Sequence, residues 1–433
     1  MGRKVFISFL GATNYGECKY EKSGFVSTSV RYIQEATLKY LTQQEEWTDE
    51  DVIYILLTKG AEEKNWRDYG HSNGQEGLKS RLNALSLSCR IETISNLPNG
   101  NNEKEIWTIF ERIFEQIKDG DSLFFDITHG FRYLPMLTLV LGNYTKFLKK
   151  AIVKSITYGN FESRDENNQA PIIDLLPLTT LQDWTFAAAN YLKNGNVTNL
   201  VELCNSELKP ILIETKGKNE NVKDLQRFIS SLQKVIDERV SCRGINITTS
   251  ENFKTLKRTS DKLSNTFIEP FNPIFNRIQE SLQEFDENEN VQNGFAAVKW
   301  CLDFGLYQQA TTILLENIVT FICMKNGLNW KIESERLLVN TAFNVKLNHI
   351  DETLWKISNK EVTLCERQNL ISKVKVIINS CEVEKLLKLF VSLADLRNDF
   401  NHAGMRNNPM SADKLKFSIH EKYNQIKDII SSC

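Results

Sequence analysis

Two short segments of this sequence combine residue types that could do chemistry. The first, residues 126–132, reads Asp-Ile-Thr-His-Gly-Phe-Arg and follows a run typical of a buried strand. Thr128 and His129 offer hydrogen bonds. Gly130 permits close backbone approach, and Arg132 offers a guanidinium fork for phosphate, to which a following helix would add free amide N–H groups. This combination predicts a site for a phosphorylated ligand.

The loop after the first predicted strand is also small and polar. It reads Gly11, Ala12, Thr13 and Asn14. If this strand and the one before Thr128 run parallel, both loops lie at the carboxyl edge of one sheet, where open α/β sheets bind ligands. The sequence has no Gly-x-Gly-x-x-Gly or Walker pattern, which disfavours ordinary dinucleotide or triphosphate binding.

A structural interpretation of the first segment stays open beside ligand binding. In it, Gly130 makes a tight turn between strand and helix, and Asp126 caps that turn. His129 is then a buried histidine whose hydrogen bonds are satisfied within the protein. Residue types and spacing do not separate the two interpretations.

The second segment, residues 397–402, reads Arg-Asn-Asp-Phe-Asn-His. Arg397 continues an apolar helical stripe, where an arginine needs an anion or a partner. Asn398 and His402, four residues apart, share a different face of the helix. Imidazole can move a proton and guanidinium can stabilise an oxyanion, so the set suits phosphodiester cleavage without a metal. The stripe comprises Leu386, Phe390, Leu393 and Phe400.

Arg397 and His402 converge poorly on one straight helix, because about 100° per residue places them on different faces. Either the helix distorts before Gly404 or a second copy of the chain completes the site. A structural alternative also remains, in which Arg397 pairs with Asp395 or Asp399 and His402 caps the helix end. We expect the remaining histidines to be surface or structural residues: His71, His349 and His420.

Composition limits the classes of protein to which this chain can belong. Its 433 residues exceed one small module and favour two to three domains. The net charge of -2 supplies no global attraction to nucleic acid, so such contact would need a local patch. Nine cysteines without a Cys-x-x-Cys pattern indicate neither a disulfide framework nor a zinc site. We expect a cytoplasmic protein that does not cross a membrane, because no run of about 18 apolar residues occurs.

Residues 1–180 alternate strand and helix patterns, which predicts an α/β fold with a mostly parallel sheet. Residues 17–28 suggest a hairpin after the first strand, and apolar residues between 106 and 117 recur at helical spacing. Five runs have the composition of strands: residues 4–10, 52–58, 91–94, 122–127 and 152–158.

Strand patterns fade after Pro171 and Pro177, and amphipathic helices follow. The rest of the chain is therefore predicted to be all-α. Polar spans place boundaries near residues 180 and 290. The predicted organisation is an α/β domain at residues 1–180, a helical connecting segment at 181–290 and a second helical domain at 291–433.

Together these segments resemble the CRISPR-associated CARF-HEPN ribonucleases, the accessory effectors of type III CRISPR antiviral systems. The resemblance covers nearly the whole chain, and its most specific part is residues 126–135. It rests on residues 5–14, 126–135, 184–196, 299–302, 305–310 and 397–402.

The resemblance implies a Rossmann-like CARF domain at residues 1–180 that senses a cyclic oligoadenylate, and a helical HEPN domain at 291–433 that cleaves RNA. The activator pocket would be lined by Gly11, Ala12, Thr13, Asn14, Thr128, His129, Gly130 and Arg132. Arg397, Asn398 and His402 would form a nuclease site that needs no metal or other cofactor for catalysis.

The resemblance also implies partners and an assembly. The activator is a cyclic oligoadenylate, with cyclic tetraadenylate favoured, and the substrate is single-stranded RNA. A ring with twofold symmetry suits a homodimer, whose axis would bring two copies of Arg397 and His402 together. Two alternatives stay open: a non-catalytic cyclic-nucleotide sensor or adaptor, and a CARF domain that degrades its own cyclic oligoadenylate.

Overall fold

The computed structural model describes residues 2–70, 75–263 and 272–432. The chain divides into two compact units, Met1–Gln182 and Asp183–Cys433. The predicted boundary near residue 290 falls inside the second unit. His71, predicted to be a surface or structural residue, lies outside the described residues.

The first unit is built on one eight-stranded sheet. Its strands are β1 (Lys4–Leu10), β2 (Lys19–Lys22), β3 (Phe25–Val26), β4 (Val52–Thr58), β5 (Arg90–Leu97), β6 (Ser122–Asp126), β7 (Ile152–Gly159) and β8 (Gln169–Asp174). They follow the order β3-β2-β8-β7-β6-β1-β4-β5. The five strands from β7 to β5 pair in parallel, whereas β8 is antiparallel to β7 and β3 is antiparallel to β2. The predicted α/β fold and the hairpin after the first strand are confirmed.

Alternating side chains of the central strands fill two cores, one on each face of the sheet. On β1, Val5, Ile7 and Phe9 enter one core, whereas Phe6 and Leu10 enter the other. This alternation follows from the two-residue period of a strand, and burial on both faces explains the continuous apolar runs.

Helices cover both faces of the sheet. Those of the first unit are α1 (Ile33–Gln44), α2 (Lys59–Ala61), α3 (Leu78–Asn83), α4 (Glu103–Gln116) and α5 (Leu134–Lys149). The predicted apolar stripe places Ile109 and Ile113 of α4 in the core that also takes Leu137 of α5. At the start of α4, the Asn102 side chain accepts a hydrogen bond from the Glu105 amide and caps the helix.

The order of the strands determines where a ligand can bind. After the β2–β3 hairpin at the far edge, the chain adds β4 and β5 outward on one side of β1, and then returns to place β6 on the other side of β1. The carboxyl ends of β1 and β6 therefore flank the point where the direction of winding reverses, which is the usual ligand crevice of such sheets. The loops after these strands are the two that the sequence selects.

Strand β8 is not among the strands that the sequence predicts, although it lies within the predicted α/β region. Proline lacks an amide donor and is normally excluded from central strands. Here the Pro171 carbonyl accepts a hydrogen bond from the Asn160 amide, and residues on either side of it pair with β2 and β7. The remaining donors and acceptors of β8 are enough to hold it in the sheet.

The second unit is helical in its described residues. Its helices, with the one that leads into it, are α6 (Leu176–Asn194), α7 (Thr198–Leu203), α8 (Lys209–Glu214), α9 (Glu220–Val240), α10 (Gly244–Thr249), α11 (Glu251–Leu263), α12 (Asn272–Glu280), α13 (Gln292–Asp303), α14 (Tyr307–Lys325), α15 (Glu333–Asn348), α16 (Leu364–Ile378), α17 (Cys381–Asn401) and α18 (Ala412–Ser431). Helix α14 packs against α13, α15, α17 and α18. It buries residues on most of its circumference, as expected of a central helix.

Helix α17 carries the second candidate segment. Its residues Leu386, Leu393 and Leu396 are buried, and Phe390 stacks on Phe343 of α15 with ring centroids 4.1 Å apart. In the described ranges, no helix is both long and apolar enough to cross a membrane.

Candidate functional site

Two neighbouring cavities open at the carboxyl edge of the sheet in the first unit. Their volumes are about 610 Å³ and about 290 Å³. Residues that line both cavities are Thr13, Tyr15, Thr128 and His129. Among the other predicted site residues, the larger cavity adds Gly11, Ala12 and Gly130, and the smaller cavity adds Asn14. The structure therefore brings the two predicted loops together.

A buried carboxylate fixes the loop after β6. Asp126 is 1% exposed and accepts hydrogen bonds from the Thr128 amide at 3.1 Å, the Thr128 hydroxyl at 2.6 Å and the Ser8 hydroxyl at 2.8 Å. Burial raises the pKa of Asp126, while these hydrogen bonds oppose the shift. The Thr128 hydroxyl also accepts a hydrogen bond from the Gly159 amide at 2.8 Å. Thr128 therefore holds the loop in addition to lining the cavities.

Two amide side chains hold the end of β1 and the loop that follows it. Gln34 of α1 donates to the Ser8 hydroxyl at 3.0 Å. Asn65 donates to the carbonyl oxygens of Gly11 at 2.9 Å and Thr13 at 2.8 Å. Because these bonds fix the loop carbonyls, the loop shape is set before any ligand arrives.

Tyr15 and His129 form a ring pair between the cavities. Their centroids are 4.1 Å apart with an interplanar angle of 30°. The Tyr15 hydroxyl accepts a hydrogen bond from the Gly11 amide at 2.8 Å, and burial raises the pKa of Tyr15 to about 12. Burial lowers the pKa of His129 to about 4, so its imidazole is neutral at pH 7. Its Nε2 atom is buried and has no hydrogen-bond partner among the described residues, which leaves it available to a ligand.

Arg31 supplies a positive charge to the smaller cavity. It lies directly before the buried residue Tyr32, and its guanidinium is 5.8 Å from the Tyr32 ring. The Arg31 Nε atom is buried and has no hydrogen-bond partner in the described part of the chain. A guanidinium with an unused donor beside Asn14 and Thr13 is suited to a phosphate group.

Arg132 does not join these residues. It is exposed, and it is not among the described residues that line either cavity. Helix α5 begins only at Leu134, whose amide already donates to the Phe131 carbonyl. Pro135 has no amide hydrogen, so the first two positions of α5 offer no free donor. The start of α5 therefore contributes less to anion binding than the sequence predicts.

The backbone at Gly130 accounts for a glycine at this position. Its φ is +128°, and an added Cβ would lie 2.2 Å from Leu134 Cδ1 and 3.3 Å from Phe9 Cβ. We expect Gly130→Ala to lower the free energy of unfolding by about 1–3 kcal/mol, from backbone strain and this overlap. Gly24→Ala is the control, because Gly24 also has positive φ but an added Cβ there meets open space. If urea unfolding showed the same loss of unfolding free energy in both variants, the overlap at Gly130 would not be the cause.

The neutral state of His129 makes stability depend on pH. The pKa is lowered from 6.5 to about 4 by folding, so between these values the unfolded chain binds a proton that the folded protein does not. Lowering the pH through this window therefore decreases the free energy of unfolding, and above pH 6.5 the effect disappears. When the pH is lowered from 7 to 5, we expect the melting temperature of His129→Gln to fall less than that of the parent chain. The pKa of Asp126 is raised instead of lowered, but Asp126 is present in both proteins and contributes equally to both. If the stability of the variant and of the parent chain changed identically with pH, the assignment of this dependence to His129 would be wrong.

The second segment lies at the carboxyl end of α17. Arg397 is half-buried and donates through Nη2 to Asn398 Oδ1 at 3.4 Å, while its Nε is buried without a partner among the described residues. His402 is exposed and directly follows the last residue of α17. The helix ends before Gly404, and Ala403 and Gly404 both have positive φ. The structure thus joins Arg397 to Asn398 and places His402 at the exposed helix end.

The carboxylates near Arg397 have other partners. Asp395 forms an ion pair with Arg406 at 3.0 Å, and the Asp399 carboxylate accepts a hydrogen bond from the Met410 amide at 2.9 Å. The part of the structural alternative in which Asp395 or Asp399 neutralises Arg397 is therefore not the arrangement in the structure. Its other part is present, because His402 is the C-cap residue of α17 and its amide donates to the Asn398 carbonyl at 3.0 Å. The Arg397 side chain keeps donors for an anion.

The first unit is similar to a known protein family. Residues 5–162 match the family described as "CRISPR system endoribonuclease Csx1, CARF domain". This segment is similar to the CARF domain of the Csx1 family. The match contains β1 to β7 and both cavities, and it supports the CARF part of the resemblance. The HEPN part stays a prediction.

Two further proteins are similar to this chain. "CRISPR-associated protein MJ1674" of Methanocaldococcus jannaschii is 25% identical over 255 residues, which are 58% of this chain and 37% of that protein. The chain therefore spans little more than a third of this relative's length. The structure titled "Enterococcus italicus Csm6 bound to cyclic hexa-2'-fluoro-hexa-dAMP" is 12% identical, covers 100% of this chain and 94% of its own, and has a TM-score of 0.47.

Sequence reasoning missed three residues of this site. Tyr15 follows the predicted loop directly, and its place among small polar residues is a signal that could have found it. Arg31 and Asn65 lie far from both loops in sequence and show no such signal. Their positions depend on the inserted hairpin and on the turn after β4, which only the folded chain brings to this edge.

Proposed function

We propose that this protein is a cyclic oligoadenylate-activated endoribonuclease of type III CRISPR defence, with cyclic tetraadenylate as the favoured activator. The activator binds in the CARF cavities, and a helical HEPN domain at residues 291–433 cleaves single-stranded RNA. The observation that carries the proposal is that the Csx1-type CARF match contains the two preformed cavities at the switch point of the sheet.

The cavities have the chemistry that a ring of adenosine monophosphates requires. The Arg31 guanidinium and the polar residues Thr13 and Asn14 suit phosphates, and the stacked rings of Tyr15 and His129 present apolar and hydrogen-bonding surface to a base. A ring that places equivalent groups on both sides of an axis fits two copies of this site, so we propose a homodimer.

The cleavage step follows from the groups at the end of α17. The 2′-hydroxyl of the RNA attacks its own phosphodiester, which forms a 2′,3′-cyclic phosphate and releases a 5′-hydroxyl. His402 transfers the proton from the attacking 2′-hydroxyl to the departing 5′-oxygen. Arg397 stabilises the charge that develops on the phosphate, and Asn398 orients the guanidinium through the observed hydrogen bond. These groups supply the chemistry without a metal, and a twofold axis would add the partner's pair to the same site.

Fluorescent single-stranded RNA tests the proposal directly. The full chain is incubated with the RNA in EDTA, alone and with cyclic tetraadenylate or cyclic hexaadenylate, and the product ends are identified by mass spectrometry. We expect activator-dependent cleavage that leaves 2′,3′-cyclic phosphate ends. Loss of cleavage in chelator, or 3′-hydroxyl products, would contradict the mechanism. Tight activator binding without RNA turnover would make the protein a sensor instead of a nuclease.

A further inference from the structure

A group of aromatic and basic residues lies beside the end of α17 and has no role in the mechanism above. Tyr307, the first residue of α14, is half-buried, and its ring centroid is 6.0 Å from that of His420 on α18 at an angle of 68°. The Lys416 ammonium lies 5.9 Å from the centroid of the Tyr307 ring. Phe417 is 72% exposed. We call Tyr307, Lys416, Phe417 and His420 the α14–α18 platform.

The platform is one surface, because helical spacing brings its α18 residues together. His420 follows Lys416 by four residues and Phe417 by three, so it lies between them on the helix surface. Lys416, Phe417 and His420 are all exposed. Phe417 is too exposed to add much to the hydrophobic core. An exposed Phe beside a Tyr, a His and a Lys is a combination that suits a ligand with flat faces and negative charge.

The platform is continuous with the proposed nuclease site. Gln308 follows Tyr307 on α14, and its side chain donates to Asn401 Oδ1 at 3.3 Å. Asn401 is the last residue of α17 and directly precedes His402. A nucleotide on the platform would therefore lie next to the group assigned to move the proton.

We propose that the α14–α18 platform binds a nucleotide of the single-stranded RNA substrate that flanks the scissile phosphate. The inference rests on the proposed function and identifies a substrate subsite within it. A base stacks on the aromatic rings, and Lys416 contacts the adjacent phosphate. Asp303 is close enough to His420 for the histidine to act on the pKa of its carboxyl group, so it places a negative charge at one side of the platform. Lys416 is the platform residue that attracts the phosphate. Every base has a π-face, so the subsite accepts all four bases.

RNA binding tests the platform separately from catalysis. The full chain with His402→Ala holds labelled single-stranded RNA without cleaving it, and fluorescence anisotropy with cyclic tetraadenylate present gives Kd. We expect Phe417→Ala together with His420→Ala to weaken binding about tenfold or more, as lost base stacking requires. Leu364→Ala is the control for removing an exposed apolar side chain, because Leu364 is 82% exposed on α16, outside the platform. We expect it to leave Kd unchanged. Lys416→Glu is compared with Lys427→Glu, the same charge change near the other end of α18.

Cleavage kinetics and molecular mass separate the outcomes. With His402 intact, we expect the platform variants to raise KM and to leave kcat nearly unchanged. If the parent chain cleaves RNA and these variants match it in Kd and KM, the platform inference is wrong while the nuclease proposal stands. If light scattering shows that they change the oligomeric state, the surface contacts a second copy of the chain and the inference is wrong. If the parent chain neither binds nor cleaves RNA, both proposals are wrong.

Discussion

Replacing either Arg397 or His402 with alanine should reduce activator-dependent RNA cleavage by at least about 100-fold. The loss of proton transfer by a positioned imidazole costs typically 10²–10⁴-fold, and the loss of one group that stabilises an oxyanion costs about 10²–10³-fold. Neither side chain is needed for the cores, because His402 is exposed and Arg397 makes its hydrogen bond to the exposed Asn398. The rate of cleavage of labelled RNA at saturating activator measures the effect.

Folding and activator binding provide the controls for this prediction. Both variants should keep the rise in melting temperature that cyclic tetraadenylate gives the parent chain, since a ligand of the folded state stabilises it whatever happens at α17. Arg277→Ala controls for loss of an exposed arginine, and His349→Asn for loss of a histidine at a left-handed position that asparagine tolerates. Full cleavage by the Arg397 or His402 variant would show that this segment is not the nuclease site.

Arg31→Ala should weaken binding of the cyclic oligoadenylate about 10- to 100-fold. A charge-assisted hydrogen bond to phosphate contributes about 1.5–3 kcal/mol, and each 1.4 kcal/mol is a factor of ten in Kd. The fold should tolerate the change, because the buried Nε atom of Arg31 has no hydrogen bond to lose within the described residues. Isothermal titration calorimetry with cyclic tetraadenylate gives the two dissociation constants.

The control for Arg31 is an arginine at the opposite edge of the sheet. Arg90 begins β5 and pairs with Glu92, so Arg90→Ala removes a guanidinium far from the carboxyl ends of the strands. We expect Arg90→Ala to bind the activator with the affinity of the parent chain. Unchanged affinity in Arg31→Ala would assign the smaller cavity to another ligand or to none.

The sequence was most informative where one local pattern determines one local structure. Short runs rich in apolar and β-branched residues predicted five of the strands. Three of these, β1, β4 and β6, are apolar nearly throughout because both of their faces are buried. The two cavity loops were also predictable, since parallel strands bring their carboxyl ends to one edge. Strand β8 was missed because Pro171 argues against a strand, and only the pairing with β2 and β7 outweighs it.

The site itself was predictable only in part. Thr128 and His129 were found by residue type, but their roles depend on contacts that the two residue types do not reveal. Thr128 donates to Asp126, which also accepts from Ser8 of β1, and the Tyr15 ring lies 4.1 Å from that of His129. Arg132 was preferred over Arg31 because it is near the loop in sequence. In the folded chain, the inserted hairpin brings Arg31 to the cavity instead. Contacts between residues far apart in sequence decide such choices.

The hydrogen bonds through Asp126 have a consequence for how the cavities at the carboxyl edge of the sheet respond to a ligand. One carboxylate joins Ser8 of β1 to Thr128 after β6, and Thr128 in turn joins Gly159 of β7. Three neighbouring strand ends are thereby coupled, so a displacement of either loop is resisted by all three. Amide hydrogen exchange at Thr128 and Gly159 should therefore slow or quicken in concert, as one cooperative unit. We therefore expect a displacement at any one of these strand ends to move the other two with it.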